Sequence, residues 1–329
     1  EYSILPVDEL ITEYSEFGMM ETGDDYILYP SNRSVFDLER RTEQGIANYY
    51  KLLEASKEKD DKFGEPEKFS ISKRYAGHLA TPTFSPSGDT LVISMSQPDE
   101  GKDNSVVRNL NIFYSVREIG GWSELMKLPI NKIGFSSTHP YFANNGNTLY
   151  FISNRPKGYG NYDLYVTHKD GDTWTEPENL GPVVNTPEDE FYPALKGNVL
   201  FFSSNGHPGM GGLDIFRSDV NRMKGSYTKP ENLKSPFNSP KDDIAIYFKP
   251  GQAAGYFASN RNGGKGLDDI YEFKFVALLD PIYLVDVAAI DGSDGDSELK
   301  DARISMVETI SGLPAQNTRF RDKKYFVLK

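Results

Sequence analysis

One stretch recurs five times, four of the copies with a Ser-Asn pair, the copies follow one another every 50 to 65 residues or so, and 20 Tyr, 20 Phe and 2 Trp sit beside 29 Gly and 20 Pro. Together these observations predict an all-β chain: a five-bladed β-propeller closed by its N-terminal strand over 1–279, followed by a separate small β domain over 280–329.

The repeat is clearest in "FISNRPKGYGNYDLYV" (151–166), "FFSSNGHPGMGGLDIFRS" from Phe201 and "FASNRNGGKGLDDIYEF" from Phe257. Asn154 to Asp163, Asn205 to Asp214 and Asn260 to Asp269 are each nine residues apart. Two degenerate copies precede them, "YILYPSNRS" from Tyr26 with "NYYKLL" after it, and "LVISMSQ" from Leu91 with "NLNIFYS" after it. Their hairpin loops carry charged insertions at 34–47 and 97–108, and Ser96 stands where the later copies have Asn.

Upstream of the copies, "FSPSGDTL", "FANNGNTLY" and "LKGNVLF" supply the Gly and Asn that a tight turn between two strands needs. Downstream, Phe63-Pro66-Phe69, Trp122-Leu125-Leu128, Trp174-Pro177-Leu180 and Tyr227-Pro230-Leu233 mark a fourth strand, with proline where an unpaired edge tolerates it. Four short strands per repeat is the form of a propeller blade, and five copies predict five blades.

The fifth copy stops at "DIYEFKFVALL" without its fourth strand. Residues 4–17, "ILPVDELITEYSEF", align without a gap to 180–193, "LGPVVNTPEDEFYP", so the N-terminal strand is expected to complete the last blade. From 280 the pattern changes to an alternating strand, the acidic turn "DGSDGDSE" and two further candidate strands. About 50 residues make a marginal core, which leaves open whether this second domain is complete at Lys329.

With 36 basic against 48 acidic residues the net charge is −12, which disfavours nucleic acid and anionic membrane surfaces as partners. The chain has no cysteine, so disulfides, thiolate metal sites and a Cys nucleophile are excluded within it. No apolar run approaches the roughly 18 residues of a membrane span, and direct membrane insertion of this segment is not expected. "EYSILPVDEL" lacks the basic and apolar regions of a signal peptide, so any export signal is expected to lie outside the chain or to have been removed.

Repetition decides how the tempting polar residues are read. A catalytic group is needed once, whereas a stabilising bond is needed in every blade. Asn154, Asn205 and Asn260 are therefore expected to cap turns, Arg155 and Arg261 to pair with Asp163 and Asp269, and Asp214 to take the matching place in its own blade. Trp122 and Trp174 are expected to anchor the fourth strands. Glu13, Asp189, Glu190, Asp242 and Asp243 begin inner strands and approach the central channel, where paired carboxylates could serve a glycosidase or hold a glycan. His78, His139, His168 and His207 show no metal-ligand spacing, "DGSDGDSE" lacks the spacing of a calcium loop, and no helix or Lys-Ser/Thr follows "GHPGMGG" to hold phosphate. No catalytic residue, cofactor or metal is assigned.

The pattern "FSPSGDTL…SNR…DLY…W-x-E-P-x-N-L" resembles the PD40, WD40-like repeats of TolB-type propellers, and more closely those of multidomain OmpA-family envelope lipoproteins of Bacteroidetes. "YLVDVAAIDGSDGDSELKDARISMVET" resembles the opening of the carboxypeptidase-regulatory-like domain that follows the propeller there, which implies a small transthyretin-like β-sandwich over 280–329. The resemblance implies a periplasmic, outer-membrane-associated, non-enzymatic scaffold of a type IX-like secretion apparatus. Protein partners would dock on the propeller, and peptidoglycan would be reached through a further C-terminal domain. Surface loops on a rigid frame commonly carry contacts, so Arg33, Asp99, Glu100, Lys102 and Arg108, with Asp189 and Asp242, are the expected partner-binding residues. The alternative is a carbohydrate-active hydrolase or glycan-binding propeller using the channel carboxylates.

Overall fold

The computed structural model describes residues 2–276 apart from 24, 34–48, 60–61, 76, 99–107, 144–145 and 222, and three short strands beyond Val276. Two compact units are present, Tyr2–Phe275 and Val276–Lys329 with Glu1. In the second, Tyr283–Asp286, Tyr325–Leu328 and Arg319–Arg321 form an antiparallel sheet in that order. The remainder of the expected sandwich, including "DGSDGDSE", lies outside the described residues.

The first unit is a five-bladed β-propeller. Its inner strands are Met20–Glu21, Leu79–Phe84, Ser137–Phe142, Glu190–Lys196 and Asp243–Phe248. Each pairs with a second strand, Tyr26–Ser31, Thr90–Pro98, Thr148–Ser153, Val199–Ser204 or Ala254–Ser259. Third strands follow at Lys51–Ser56, Arg108–Glu118, Asp163–Asp170, Asp214–Asn221 and Asp269–Phe275. The N-terminal strand Tyr2–Pro6 lies antiparallel on the last of these, from Tyr2 opposite Phe275 to Pro6 opposite Tyr271, and completes blade five.

The outer edge differs from a continuous fourth strand. In blade three it is two pieces, Thr173–Trp174 and Glu178–Asn179, both paired with the third strand on either side of Pro177. Proline cannot donate to the ladder, and Thr175 mends the gap: its Oγ1 accepts from His168 N at 3.0 Å while its carbonyl accepts from Thr167 Oγ1 at 2.7 Å. Ser123 and Thr228 do the same in blades two and four.

Alternation along each second strand sends side chains to two different inter-blade spaces. Ile27 and Tyr29 join Val7, Leu10, Tyr256 and Ile270 between blades five and one, whereas Leu28 joins Leu52, Leu79 and Ile93 between blades one and two. Three further clusters fill the remaining spaces. Each blade therefore buries both faces only because it has two neighbours.

The glycine-rich hairpins between second and third strands follow a Gly-x-Gly-x-x-Asp pattern with two separate steric demands. Asp163 accepts from the backbone of Tyr159 and Gly160 at 2.6 and 3.0 Å, and Asp269 accepts from Lys265 and Gly266 at 2.8 and 3.1 Å. A Cβ on Gly158, Gly209 or Gly264 would stand 1.9, 1.9 or 1.8 Å from Oδ2 of the Asp five residues on. A Cβ on Gly160, Gly211 or Gly266 would come within 2.1, 2.1 or 1.9 Å of a carbonyl oxygen in the loop entering the next blade, that of Glu188, Lys241 or Tyr14. The first glycine thus leaves room for the carboxylate cap and the second for the neighbouring blade. Gly160→Ala is expected to destabilise the propeller by roughly 1–3 kcal/mol or more, as overpacking does, whereas Gly23→Ala, with nothing within 4 Å of its Cβ, leaves it unchanged. Thermal unfolding of the two variants checks this, and equal midpoints would show that the loop gives way.

Candidate functional site at the channel mouth

Each blade has one left-handed residue at the throat, within the inner strand in blades two to five and just before it in blade one: Gly18, Thr81, His139, Tyr192 and Ala245, with φ of 57, 47, 49, 52 and 55°. In four blades the ladder register shifts across this residue, as at a β-bulge. The five line a throat of about 60 Å³. His139 stacks on Tyr192 with centroids 4.1 Å apart and planes at 14°, Phe17 meets Tyr192 at 5.8 Å and Tyr50 at 5.1 Å, and Tyr50 meets His78 at 5.7 Å. Burial pushes the imidazole of His139 down to about 3, so it is neutral, and its Nδ1 meets no partner among the described residues.

Inner strands begin, and second strands end, at one mouth of this throat. Three half-buried carboxyl groups lie at this end of the blades, Asp189, Asp242 and Asp268, and the charge of Asp242 reaches Asp268. Asp242 Oδ1 accepts from Leu213 N at 2.8 Å and Oδ2 from Asn260 Nδ2 at 2.9 Å, which fixes its orientation. Asp268 accepts a short hydrogen bond from Ser15 Oγ. Burial, then the charges of Asp242, Asp269 and Glu16, hold the Asp268 carboxyl above the usual range, against the pull of Ser15. Asp189 is raised by burial and by Glu188, opposed by hydrogen bonds from Tyr162 N and the Asn161 side chain. Burial also raises the phenols of Tyr50 and Tyr192, the latter further through Asp268 and Asp242, so both keep their protons. The mouth therefore offers acids that hold a proton to higher pH than usual, a firmly oriented carboxylate, phenolic donors and an aromatic floor.

Sequence spacing predicts some of this and misplaces the rest. Glu13 is exposed, because the chain carries Ser15 in the place of Asp189 and Glu16 in that of Glu190. Thr12 bonds Glu16 as Thr186 bonds Glu190, through both backbone N and Oγ1. Glu16, Glu190 and Asp243 turn into the blades and are buried, so they do not face the channel. Spacing does not single out Asp268, since the repeat's signal sits on its neighbour Asp269.

The Arg residues do not meet the Asp residues that open the third strands. Arg155 lies over Phe151 and Tyr165 at 5.1 and 4.9 Å and donates to Ile130 O at 2.9 Å and Ser153 Oγ at 3.2 Å. Arg261 lies over Phe257 and Tyr271 in the same way and pairs with Asp243 at 2.6 Å. Arg33 pairs with Glu16 at 3.4 Å and donates to Leu10 O, and in blade four His207 takes this position, its Nε2 2.7 Å from Val184 O. These side chains tie a second strand to the loop that enters the blade.

The asparagines act on the backbone: Asn32, Asn154, Asn205 and Asn260 accept from the N–H of Ser15, Ser136, Asp189 and Asp242, and Ser96 accepts from that of His78. Asp214 accepts from Met210 N and from Gly211 N at 3.2 Å. Trp122 and Trp174 are half-buried on Phe84 and Phe142 at the outer hairpins. Asp99, Glu100 and Lys102 lie outside the described residues, and Arg108 opens a third strand. His78 Nδ1 accepts from Tyr50 N at 3.2 Å, and exposed His168 lies 3.1 Å from Thr148 Oγ1. Among the described residues no three His, Asp or Glu are grouped to hold a metal ion.

No family model matches the chain, and no curated protein matches it either. Among solved structures, one described as a glycoside hydrolase superposes with a TM-score of 0.51 at 11% identity, over 82% of this chain and 91% of that one. An exo-β-1,3-galactanase from Clostridium thermocellum superposes with a TM-score of 0.50 at 13% identity, over 91% of this chain and 76% of its own. A TolB structure from Agrobacterium tumefaciens gives 0.47 at 15% identity, over 87% and 81%. At such identities the likeness establishes the fold.

The expectation of a non-enzymatic secretion scaffold is corrected by this comparison. It equates a frame of repeated struts with a docking platform, yet the propellers sharing the fold at 0.50 and 0.51 are described as a galactanase and a glycoside hydrolase. Repeated bonds build the frame and leave unrepeated groups at its mouth free for chemistry, so the expectation that the chain is no enzyme does not stand.

Burial pushes the Glu190 carboxyl up to about 7, opposed by hydrogen bonds from Thr186 and Ser204. A carboxyl whose folded value is raised binds its proton more tightly in the folded state. Its contribution to stability is complete below the ordinary value of 4.5 and is lost as pH rises through about 7. Glu190→Gln is therefore expected to flatten the fall in stability between about pH 5 and pH 8, a window in which a tenfold difference in proton affinity corresponds to about 1.4 kcal/mol. Denaturant unfolding at the two pH values checks this, and an unchanged slope would remove Glu190 as its source.

Proposed function

We propose that this propeller is carbohydrate-active and cleaves a glycosidic bond across its channel mouth, with Asp268 as general acid and Asp242 as the partner carboxylate. The observation that carries this is the pairing of two differently treated carboxyl groups at one mouth. Asp268 is held above the usual range partly by Asp242, while Asp242 is fixed by two donors. Glycoside cleavage needs such a division, one carboxyl to protonate the leaving oxygen and one carboxylate to act on the anomeric carbon or on the attacking water.

A throat of about 60 Å³ is far below the ~300–1,000 Å³ of small-molecule sites, so the glycan would lie across the mouth. Tyr192 and Tyr50 would donate to its hydroxyls, and Phe17 would form the floor beneath. Asp268 would give its proton to the departing sugar oxygen, water would supply the new hydroxyl, and Asp242 or Asp189 would take the proton from that water. A periplasmic setting, implied by the repeat's resemblance to envelope propellers, belongs to this proposal, since envelope polysaccharides lie there.

One observation favours binding without turnover: both oxygens of Asp242 already accept hydrogen bonds. Release of reducing ends from a panel of envelope and plant polysaccharides, with Asp268→Asn and Asp242→Asn alongside, separates the two. Turnover is expected in the native protein and a loss of about 10²-fold or more in each variant, with activity falling only above the usual carboxylate range as Asp268 loses its proton. Retained binding with no turnover would support the glycan-binding reading, and neither binding nor turnover would reject both.

A further inference from the structure

On the opposite face, where the third strands end, the space between blades two and three opens into a groove of about 590 Å³. We propose that this groove is a second carbohydrate site, separate from the channel mouth, in which a sugar ring packs on Trp174. The ligand class rests on the function proposed above; the location does not.

The repeat itself shows what is different here. Phe63, Trp122, Trp174 and Tyr227 occupy the same place in four blades. Phe63 is buried in the core between blades five and one, and Tyr227 packs into the core between blades three and four, its hydroxyl 3.4 Å from that of Tyr150. Trp122 lines a smaller groove of about 420 Å³, but the guanidinium of Arg117, opposite it in the ladder, lies 5.1 Å above its ring. Trp174 faces Lys169 at the matching ladder position, and among the described residues no cation covers its ring. It is therefore the aromatic of this series that is both in an open groove and uncovered.

The rest of the lining fits a polyhydroxylated ligand. Tyr114 and Phe142 extend the apolar wall, while Asp89, Asn147, Lys169 and Asp172 place carboxylate, amide and ammonium groups around it. Ser85 and Thr90 hydroxyls donate to Asp89 at 2.8 and 2.9 Å, and with Ser87 they hold its carboxyl below the usual range, so it stays an acceptor. The groove volume falls within the range of small-molecule sites, about 300–1,000 Å³. An aromatic face for the C–H side of a sugar and mixed polar groups for its hydroxyls is the same combination of body and rim that orients ligands in such clefts.

The chain's two tryptophans are the reporters. In Trp122→Phe, all indole emission comes from the proposed site. Titration of this variant with soluble xylo-, arabino- and galacto-oligosaccharides is expected to give a saturable emission change. Lys169→Ala or Asp172→Asn, each in the Trp122→Phe background, should weaken it roughly tenfold, as loss of an interface hot spot does, and Asp268→Asn should leave it unaltered. Trp174→Phe, with only the covered Trp122, should show no such change. Absence of any saturable change with the panel, or saturation by a proline-rich peptide and not by sugars, would overturn the proposal. Turnover abolished by Asp268→Asn alongside intact titration separates the two sites, and titration without turnover at the mouth would leave this site standing while the enzyme proposal falls.

Discussion

The propeller depends on one pairing between the two ends of its chain. Tyr2–Pro6 supplies the outer strand of blade five, and the rings of Tyr2, Phe237, Phe273 and Phe275 close around the join. Without it the last third strand would present an unpaired edge, and Val7, Leu10 and Ile11 would lose their place between blades five and one. Because every inter-blade core needs two neighbours, closure at this one seam determines whether five sandwiched sheets or an open row of marginal ones exists. Chain-end pairing also carries Ser15 to the mouth, so the seam positions the partner of Asp268.

Frame and chemistry are kept apart by repetition. The asparagine or serine latch recurs in all five blades, the stacked Arg or His in four and the capped Gly-x-Gly-x-x-Asp hairpin in blades three to five, and most of their polar atoms are engaged by backbone and neighbouring side chains. What does not recur is the set Asp268, Tyr50, Tyr192 and His139. These groups converge from different blades on one axis, so none of them has a sequence neighbour that would mark it. The frame holds their separations and the burial that alters their protonation.

Blade count, strand order and the closing strand are legible because each recurs, or is conspicuously missing, in the linear pattern. Register at the seam is not. The ungapped alignment of 4–17 with 180–193 sets Glu13 against Asp189, whereas the hydrogen bonds of Thr12 and Thr186 set Ser15 there, two residues later. An irregular stretch between strand and loop absorbs the difference, and hydrophobic spacing cannot see it. The partners of Arg155 and Arg261 escape the sequence for a related reason: a long side chain can reach either the next strand or the previous loop, and only packing against Phe151 or Phe257 selects the loop. Asp189 and Asp242 are readable from their place before inner strands, but Asp268 is hidden beside the repeated Asp269. The step from a repeating frame to a lack of catalysis is an inference from fold, which does not determine function.

The five left-handed residues around the throat divide main chain from side chain in an unusual way. Glycine, threonine, histidine, tyrosine and alanine all adopt the same backbone turn there, so the bend is imposed by the surrounding ladder and not by the residue that makes it. The throat is consequently a palette: its bore, polarity and aromatic character can be rewritten one blade at a time while the ring keeps its shape. A scaffold of this kind can exchange one ligand for another without relearning how to fold.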